Sequence, residues 1–113
     1  MHELSIAIGI VNIAEKECKK SGNEKVELIE LEIGSLSGVA LDSLDYVWKA
    51  AVKDTILENA EKKIHHIKAK ATCLECDSEY PMKHIYDSCP QCESYIRTIN
   101  KGQELRVKSL EVS

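Results

Sequence analysis

Apolar residues recur at helical spacing from the start of the chain: Leu4, Ala7, Val11, Ala14 and Cys18 share one stripe, widened by Ile6, Ile10 and Ile13. The pattern predicts a helix from Leu4 to about Lys20, stopped by Ser21-Gly22-Asn23. Its apolar face is broader than one sheet contact requires, so part of it is a candidate for a partner, set against the plainer reading of a well-buried helix. Cys18 lies on the core stripe and reads as a small buried hydrophobe. From Lys25 to Ile33 the period becomes two, with Ile29, Leu31 and Ile33 alternating with Glu30 and Glu32, a strand whose parity slips at Leu28-Ile29. After a loop from Gly34 to Gly38, the residues Leu41, Leu44, Val47, Trp48, Ala51 and Val52 predict a second amphipathic helix reaching about Leu57. Lys62 to Ala71 reads as a second strand, with Ile67, Ala69 and Ala71 on one face and Lys68 and Lys70 on the other, and Leu105 to Val112 as the last.

Between those two strands the periodicity breaks. Thr72 to about Tyr95 holds both prolines and four of the five cysteines, which marks an inserted module. The module rejoins the main body through Ile96 to Ile99, a turn at Asn100-Lys101-Gly102 and the final strand, a hairpin signal with Gly where a positive φ is needed. The expected fold is α+β: a small three-stranded mixed sheet with two helices on it and an inserted four-cysteine zinc-ribbon-like module. In domain terms, residues 1–71 completed by 97–113 form an α/β body, and residues 72–96 form the module.

Composition sharpens this picture. At 113 residues the chain holds one core plus a small satellite, and with one Trp and no Phe that core is marginal without a staple, for which the cysteines are the candidates. Nineteen acids against fifteen bases give a net charge of −4, which argues against a grip on nucleic-acid phosphates or on an anionic membrane. Leu4 to Ala14 resembles the apolar run of a signal peptide, but Glu3 precedes it and no small-x-small site follows, and it is too short to span a bilayer. Paired Cys-x-x-Cys motifs suit metal ligation in a reducing compartment, so a cytoplasmic protein is expected.

Cys73-Leu74-Glu75-Cys76 and Cys89-Pro90-Gln91-Cys92 are separated by twelve residues. Each short loop aims two thiolates at one point, and a small hairpin joins the points into the tetrahedral four-sulfur cage that zinc accepts. With all four ligands from protein, such a zinc is structural. An iron site of rubredoxin type uses the same sulfurs, and Tyr80 and Pro90 fit that pattern, but Asp77 and Glu93 stand where such loops usually place Gly. A nucleic-acid-binding ribbon is the other common use. Against it, Glu75, Asp77, Glu79 and Asp87 face Lys83 alone between the outer cysteines.

A second feature is the terminus Met1-His2-Glu3. The α-amine, the His2 amide nitrogen and the His2 ring can chelate one cation in fused rings, with the Glu3 amide completing a square plane that suits Ni(II) or Cu(II). A His at position 2 is usually only an exposed side chain, so the spacing alone leaves this site open. His65 and His66 point to opposite faces of a strand and do not jointly chelate, and His84 is surplus to four cysteines. Gly34-Ser35-Leu36-Ser37-Gly38 lacks the ending of a phosphate-binding loop, and no Ser/His/Asp or Cys/His set is visible, so no enzymatic activity is expected.

Several motifs together closely resemble the HypA/HybF hydrogenase maturation family. They are Met1-His2-Glu3-Leu4-Ser5, the Val26 to Gly34 strand ending in Ile33-Gly34, the two cysteine pairs with Pro90, and the closing Gly102-x-Glu104-Leu105-x-Val107-Lys108-Ser109-Leu110-Glu111-Val112. The resemblance spans essentially the whole chain and implies a nickel metallochaperone serving the large subunit of nickel-iron hydrogenase, with a GTPase nickel-insertion accessory protein as partner. It implies that Met1, His2 and Glu3 hold the Ni(II) cargo, His2 as the essential ligand, and that Cys73, Cys76, Cys89 and Cys92 hold structural Zn(II). The residues 1–71 body is then the nickel-binding one, in a monomer or homodimer. A zinc-ribbon interaction module and a rubredoxin-like electron carrier are the alternatives. Asp77 and Glu93 occupy places where Gly is frequent in the family, a departure that bears on the loop geometry and on the N–H bonds that tune the sulfurs.

Overall fold

A computed structural model describes residues 2–113. Its elements in chain order are α1 (Glu3–Lys20), β1 (Val26–Gly34), α2 (Leu41–Val52), β2 (Glu61–Ile67), β3 (Ala69–Cys73), β4 (Glu79–Met82), β5 (Arg97–Lys101) and β6 (Leu105–Val112). The strands form two three-stranded sheets, ordered β2-β1-β6 and β4-β3-β5. Two compact units result. One comprises residues up to Leu31 with Val39–Ile64 and Val107–Ser113, and the other comprises Glu32–Gly38 with His65–Arg106.

In the first unit α1 packs against α2. The stripe Ala7, Val11, Ala14 and Cys18 is buried, and Ile10 is buried with it, while Leu4, Ile8 and Ile13 remain about half exposed. Cys18 is thus the small core hydrophobe that its position predicts. Leu44, Trp48 and Val52 of α2 and Ile29 and Leu31 of β1 complete this core, each large apolar side chain contributing about 1.5–3 kcal/mol by leaving water. In β1 both Val26 and Ile29 are buried, so the parity slip at Leu28-Ile29 shows directly in the burial. α2 stops at Val52 rather than near Leu57. Thr55 folds back, its hydroxyl and its N–H both donating to the Val52 carbonyl at 2.6 and 3.0 Å, and Asp54 takes a positive φ of 61°.

The β2-β1-β6 sheet is mixed, as its pattern implies. Lys25 and Ser113 exchange backbone hydrogen bonds of 3.1 and 2.9 Å, which sets β6 antiparallel to β1. β2 follows β1 through the α2 crossover and lies on its other edge. Two sequence expectations need correction. The single strand from Lys62 to Ala71 breaks at Lys68: Ser35 accepts the Ala69 N–H on its hydroxyl at 3.0 Å and donates its own N–H to the Ile67 carbonyl at 2.8 Å, holding the chain as it passes from one sheet to the other. The hairpin across Asn100-Lys101-Gly102 does not form either. Gly102 takes the expected positive φ, at 113°, yet β5 pairs with β3 and β6 with β1.

In the second unit β3 is the central strand. It runs antiparallel to β4, with Ala71 opposite Tyr80, and antiparallel to β5, with Thr72 opposite Thr98. Ala69, Ala71, Cys73, Tyr80, Met82 and Cys89 form its buried core, with Leu36 and Ile99 packed against it.

Candidate metal centre

Two six-residue segments of one pattern, Cys73-Leu74-Glu75-Cys76-Asp77-Ser78 and Cys89-Pro90-Gln91-Cys92-Glu93-Ser94, fold alike. In the first, the Asp77 N–H donates to the Cys73 carbonyl at 3.0 Å and the Cys73 N–H to the Ser78 carbonyl at 2.9 Å. In the second, the Glu93 N–H donates to the Cys89 carbonyl at 2.8 Å and the Cys89 N–H to the Ser94 carbonyl at 2.9 Å. Each segment turns back through a left-handed residue, Asp77 at φ 61° and Glu93 at φ 64°. Gly reaches this conformation at no steric cost, whereas a side chain there costs roughly 1–2 kcal/mol. The knuckle geometry is kept despite the missing glycines, and the Gln91 N–H still points at Cys89 Sγ, 3.4 Å away.

The two knuckles bring all four sulfurs within 4.8 Å of one another. The shortest approaches run across the knuckles, Cys73 to Cys92 at 3.5 Å and Cys76 to Cys89 at 3.6 Å. A tetrahedral cage with metal–sulfur bonds of about 2.3 Å needs sulfurs roughly 3.8 Å apart, so the donor set and its spacing fit a zinc-sized ion. Cys73 and Cys89 are buried, and Cys76 and Cys92 face outward. Hydrogen bonding to the Ser78 hydroxyl and backbone brings the Cys76 thiol down to about 6. Cys92 moves the other way: the Ser94 backbone opposes the rise, but the neighbouring Cys73 sulfur and burial push it up to about 12. Four sulfurs this close cannot all carry charge unless a cation sits among them.

Residues that the motif does not include shape the surroundings. Ser78 accepts from Cys76 Sγ at 3.2 Å. Tyr80 is 2% exposed and its hydroxyl has no hydrogen-bond partner among the described residues. Burial raises its pKa, partly countered by the positive charge of Arg97. Asp87 closes the 83–87 loop by accepting the Lys83 and His84 N–H groups at 2.8 and 3.0 Å, which holds its carboxyl below the ordinary carboxylate value. The repeated acid-Ser after each Cys-x-x-Cys was the sequence signal for the Ser78 and Ser94 contacts. Nothing local marked Tyr80 or Arg97.

At the other candidate site, Met1 lies outside the described residues. His2 is the exposed N-cap of α1, and its carbonyl accepts the Ile6 N–H at 2.9 Å. Glu3 turns inward, 4% exposed, and its Oε2 accepts the Ala40 N–H at 3.2 Å. The first unit therefore presents the His2 ring outward and anchors the turn behind it through Glu3. His65 is half-buried and His66 exposed on β2, while exposed His84 stacks on Tyr86 at 4.8 Å, and none of them joins the sulfur cluster.

A small α+β body with a preformed four-thiol knuckle pair and an outward N-terminal histidine defines a metal-binding protein rather than one with a reaction cleft. The chain belongs to the HypA family, whose model, described as hydrogenase/urease nickel incorporation, metallochaperone, hypA, matches residues 1–112. It is 43% identical over 112 residues to the hydrogenase maturation factor HypA of Parabacteroides distasonis, covering 99% of this chain and 97% of that one. With the HypA of Geobacter metallireducens the identity is 40% over 112 residues, covering 99% of each chain. The solution structure of the Ni metallochaperone HypA from Helicobacter pylori shares the fold, with a TM-score of 0.70 at 24% identity, over 99% of this chain and 97% of that one. A second solution structure of a HypA protein matches with a TM-score of 0.71 at 25% identity, over 100% and 97%.

Proposed function

We propose that this chain carries Ni(II) as cargo on its amino terminus and hands it to the large subunit of nickel-iron hydrogenase during maturation, with Zn(II) at Cys73, Cys76, Cys89 and Cys92 as a structural staple. The nickel ligands are the Met1 amine, the His2 ring and amide, and the Glu3 amide. The observation that carries this reading is the placement of His2, exposed at the N-cap and ahead of the first helical hydrogen bond, in a chain of the HypA family. Backbone amides at a helix start have no intrahelical acceptor, so the His2 amide can give up its proton to a metal without breaking the helix. A site on the first turn is held by few contacts and suits ligand exchange with an acceptor.

Leu4 and Ile8, one turn apart on α1 and both about half exposed, form the face on which the acceptor docks. Release then occurs by stepwise replacement of the terminal nitrogens by acceptor ligands, in the cytoplasm and together with a GTPase nickel-insertion accessory protein. The zinc centre has no open coordination position and takes no part in the exchange.

The test is native mass spectrometry of the chain with its authentic Met1, titrated with nickel, beside the same chain extended by one N-terminal residue. Expected is one zinc in both forms and one nickel only in the authentic one. Equal nickel binding by both forms, or by neither, overturns the terminal chelate and leaves a zinc-stapled interaction module.

A further inference from the structure

Five of the large hydrophobic side chains left exposed belong to the loops beside the knuckles: Leu74, Ile85, Tyr86, Tyr95 and Ile96, at 54–69% exposure. They form one surface. The Leu74 N–H donates to the Ile96 carbonyl at 3.0 Å, placing those two side by side. The Arg97 guanidinium gathers the rest, donating to the Tyr95 carbonyl at 3.2 Å, to the Asp87 carbonyl at 3.4 Å and to the Ile85 carbonyl. Arg97 thus fixes both loops from behind, and its donors are occupied by backbone. A contiguous exposed patch of Ile, Leu and Tyr on ordered loops has the composition of an interface centre, and holding it preformed reduces the ordering entropy of binding.

The rim is acidic. Glu75 follows Leu74, Glu93 precedes Ser94-Tyr95, and Asp77 and Glu79 continue the same sign, all of them exposed, with Lys83 as the exposed cation of this stretch. A zinc tetrathiolate adds further negative charge beneath. Charge complementarity therefore selects a protein surface with an apolar recess inside a basic rim.

We infer that the Leu74-Ile85-Tyr86-Tyr95-Ile96 surface, rimmed by Glu75 and Glu93, is the docking site for a basic, apolar-centred face of the GTPase accessory protein. The inference rests on the nickel-carrier reading: the acceptor uses the α1 face of the first unit, so a second partner present at the same time needs a surface of its own, and the second unit supplies it.

Isothermal titration of the zinc- and nickel-loaded chain with the purified GTPase tests it. The I85S/Y86S double variant is expected to bind at least tenfold more weakly than the native chain with its zinc and nickel content unchanged. The Glu75→Lys variant and added salt are expected to weaken binding several-fold, and Leu4→Ser to leave it unchanged. Binding by I85S/Y86S within twofold of native overturns the patch and leaves the nickel reading intact, since that stands on the terminal chelate. Loss in I85S/Y86S with no response to salt or to Glu75→Lys overturns the basic partner face. Absence of GTPase binding by the native chain overturns the assignment altogether, whereas failure of nickel loading removes the reading beneath it.

Discussion

Gly34 and Gly102 approach so closely that a Cβ on Gly34 would lie 2.0 Å from the Gly102 carbonyl oxygen. The contact sits where β1 ends and the chain leaves β5 for β6. The Gly34 N–H reaches the Glu104 carbonyl at 2.7 Å, and the Gly102 carbonyl accepts the Leu36 N–H, also at 2.7 Å. Both partners are backbone, so no side chain can rotate away. Gly34→Ala is expected to destabilise the fold by roughly 3 kcal/mol or more, seen as a lower urea midpoint or failure to fold. Gly9, whose added Cβ meets nothing within 4 Å, is the control, and its Ala variant gains helix stability of about 1 kcal/mol.

The two left-handed acidic residues of the knuckles predict opposite-sized gains. Asp tolerates this conformation better than Glu because its short side chain can bond locally. Glu93→Gly is therefore expected to stabilise the zinc-loaded chain by about 1 kcal/mol after the greater entropy of an unfolded Gly is allowed for, and Asp77→Gly by less. Thermal midpoints of the two variants with zinc bound decide the order.

Tyr80 offers a test with a pH signature. Its buried, unpartnered hydroxyl lost water on folding and gained no replacement, so Tyr80→Phe is expected to raise stability by about 1 kcal/mol at neutral pH. Burial raises the folded pKa above the ordinary 10, with Arg97 opposing. Below pH 10 the residue is neutral in both states. Above it the unfolded chain ionises first, so the native protein loses stability as pH rises toward the raised folded value. The Phe variant lacks that alkaline loss, and urea titrations at neutral and alkaline pH compare the two.

Separate removal of the two metals distinguishes cargo from staple. His2→Ala is expected to abolish nickel binding while zinc content, circular dichroism and unfolding midpoint stay native. Withdrawing zinc with a strong chelator is expected to lose the β3–β4–β5 unit, because its small core contains Cys73 and Cys89 themselves. Amide exchange resolved along the chain reports whether Ala71 and Tyr80 lose protection while Ile29 keeps it.

Short-range patterns told most of this from residues alone. The stripe of Ala7, Val11, Ala14 and Cys18, the alternation through Ile29, Leu31 and Ile33, and the paired Cys-x-x-Cys loops are signals of period 3.6, of period 2 and of fixed ligand spacing. Each is set by neighbours a few residues away, and each stands in the structure. Strand partnership was out of reach. The break at Lys68 depends on Ser35, 34 residues before Ala69, and the choice of β3 over β6 as the partner of β5 depends on how Gly102 fits against Ala69 and Gly34. A strand's alternation says which side chains are buried but not which backbone edge they sit beside, so Lys62 to Ala71 looked like one strand although it serves two sheets. The same limit hid Tyr80 and Arg97, whose roles come from groups brought beside them only when the second sheet closes.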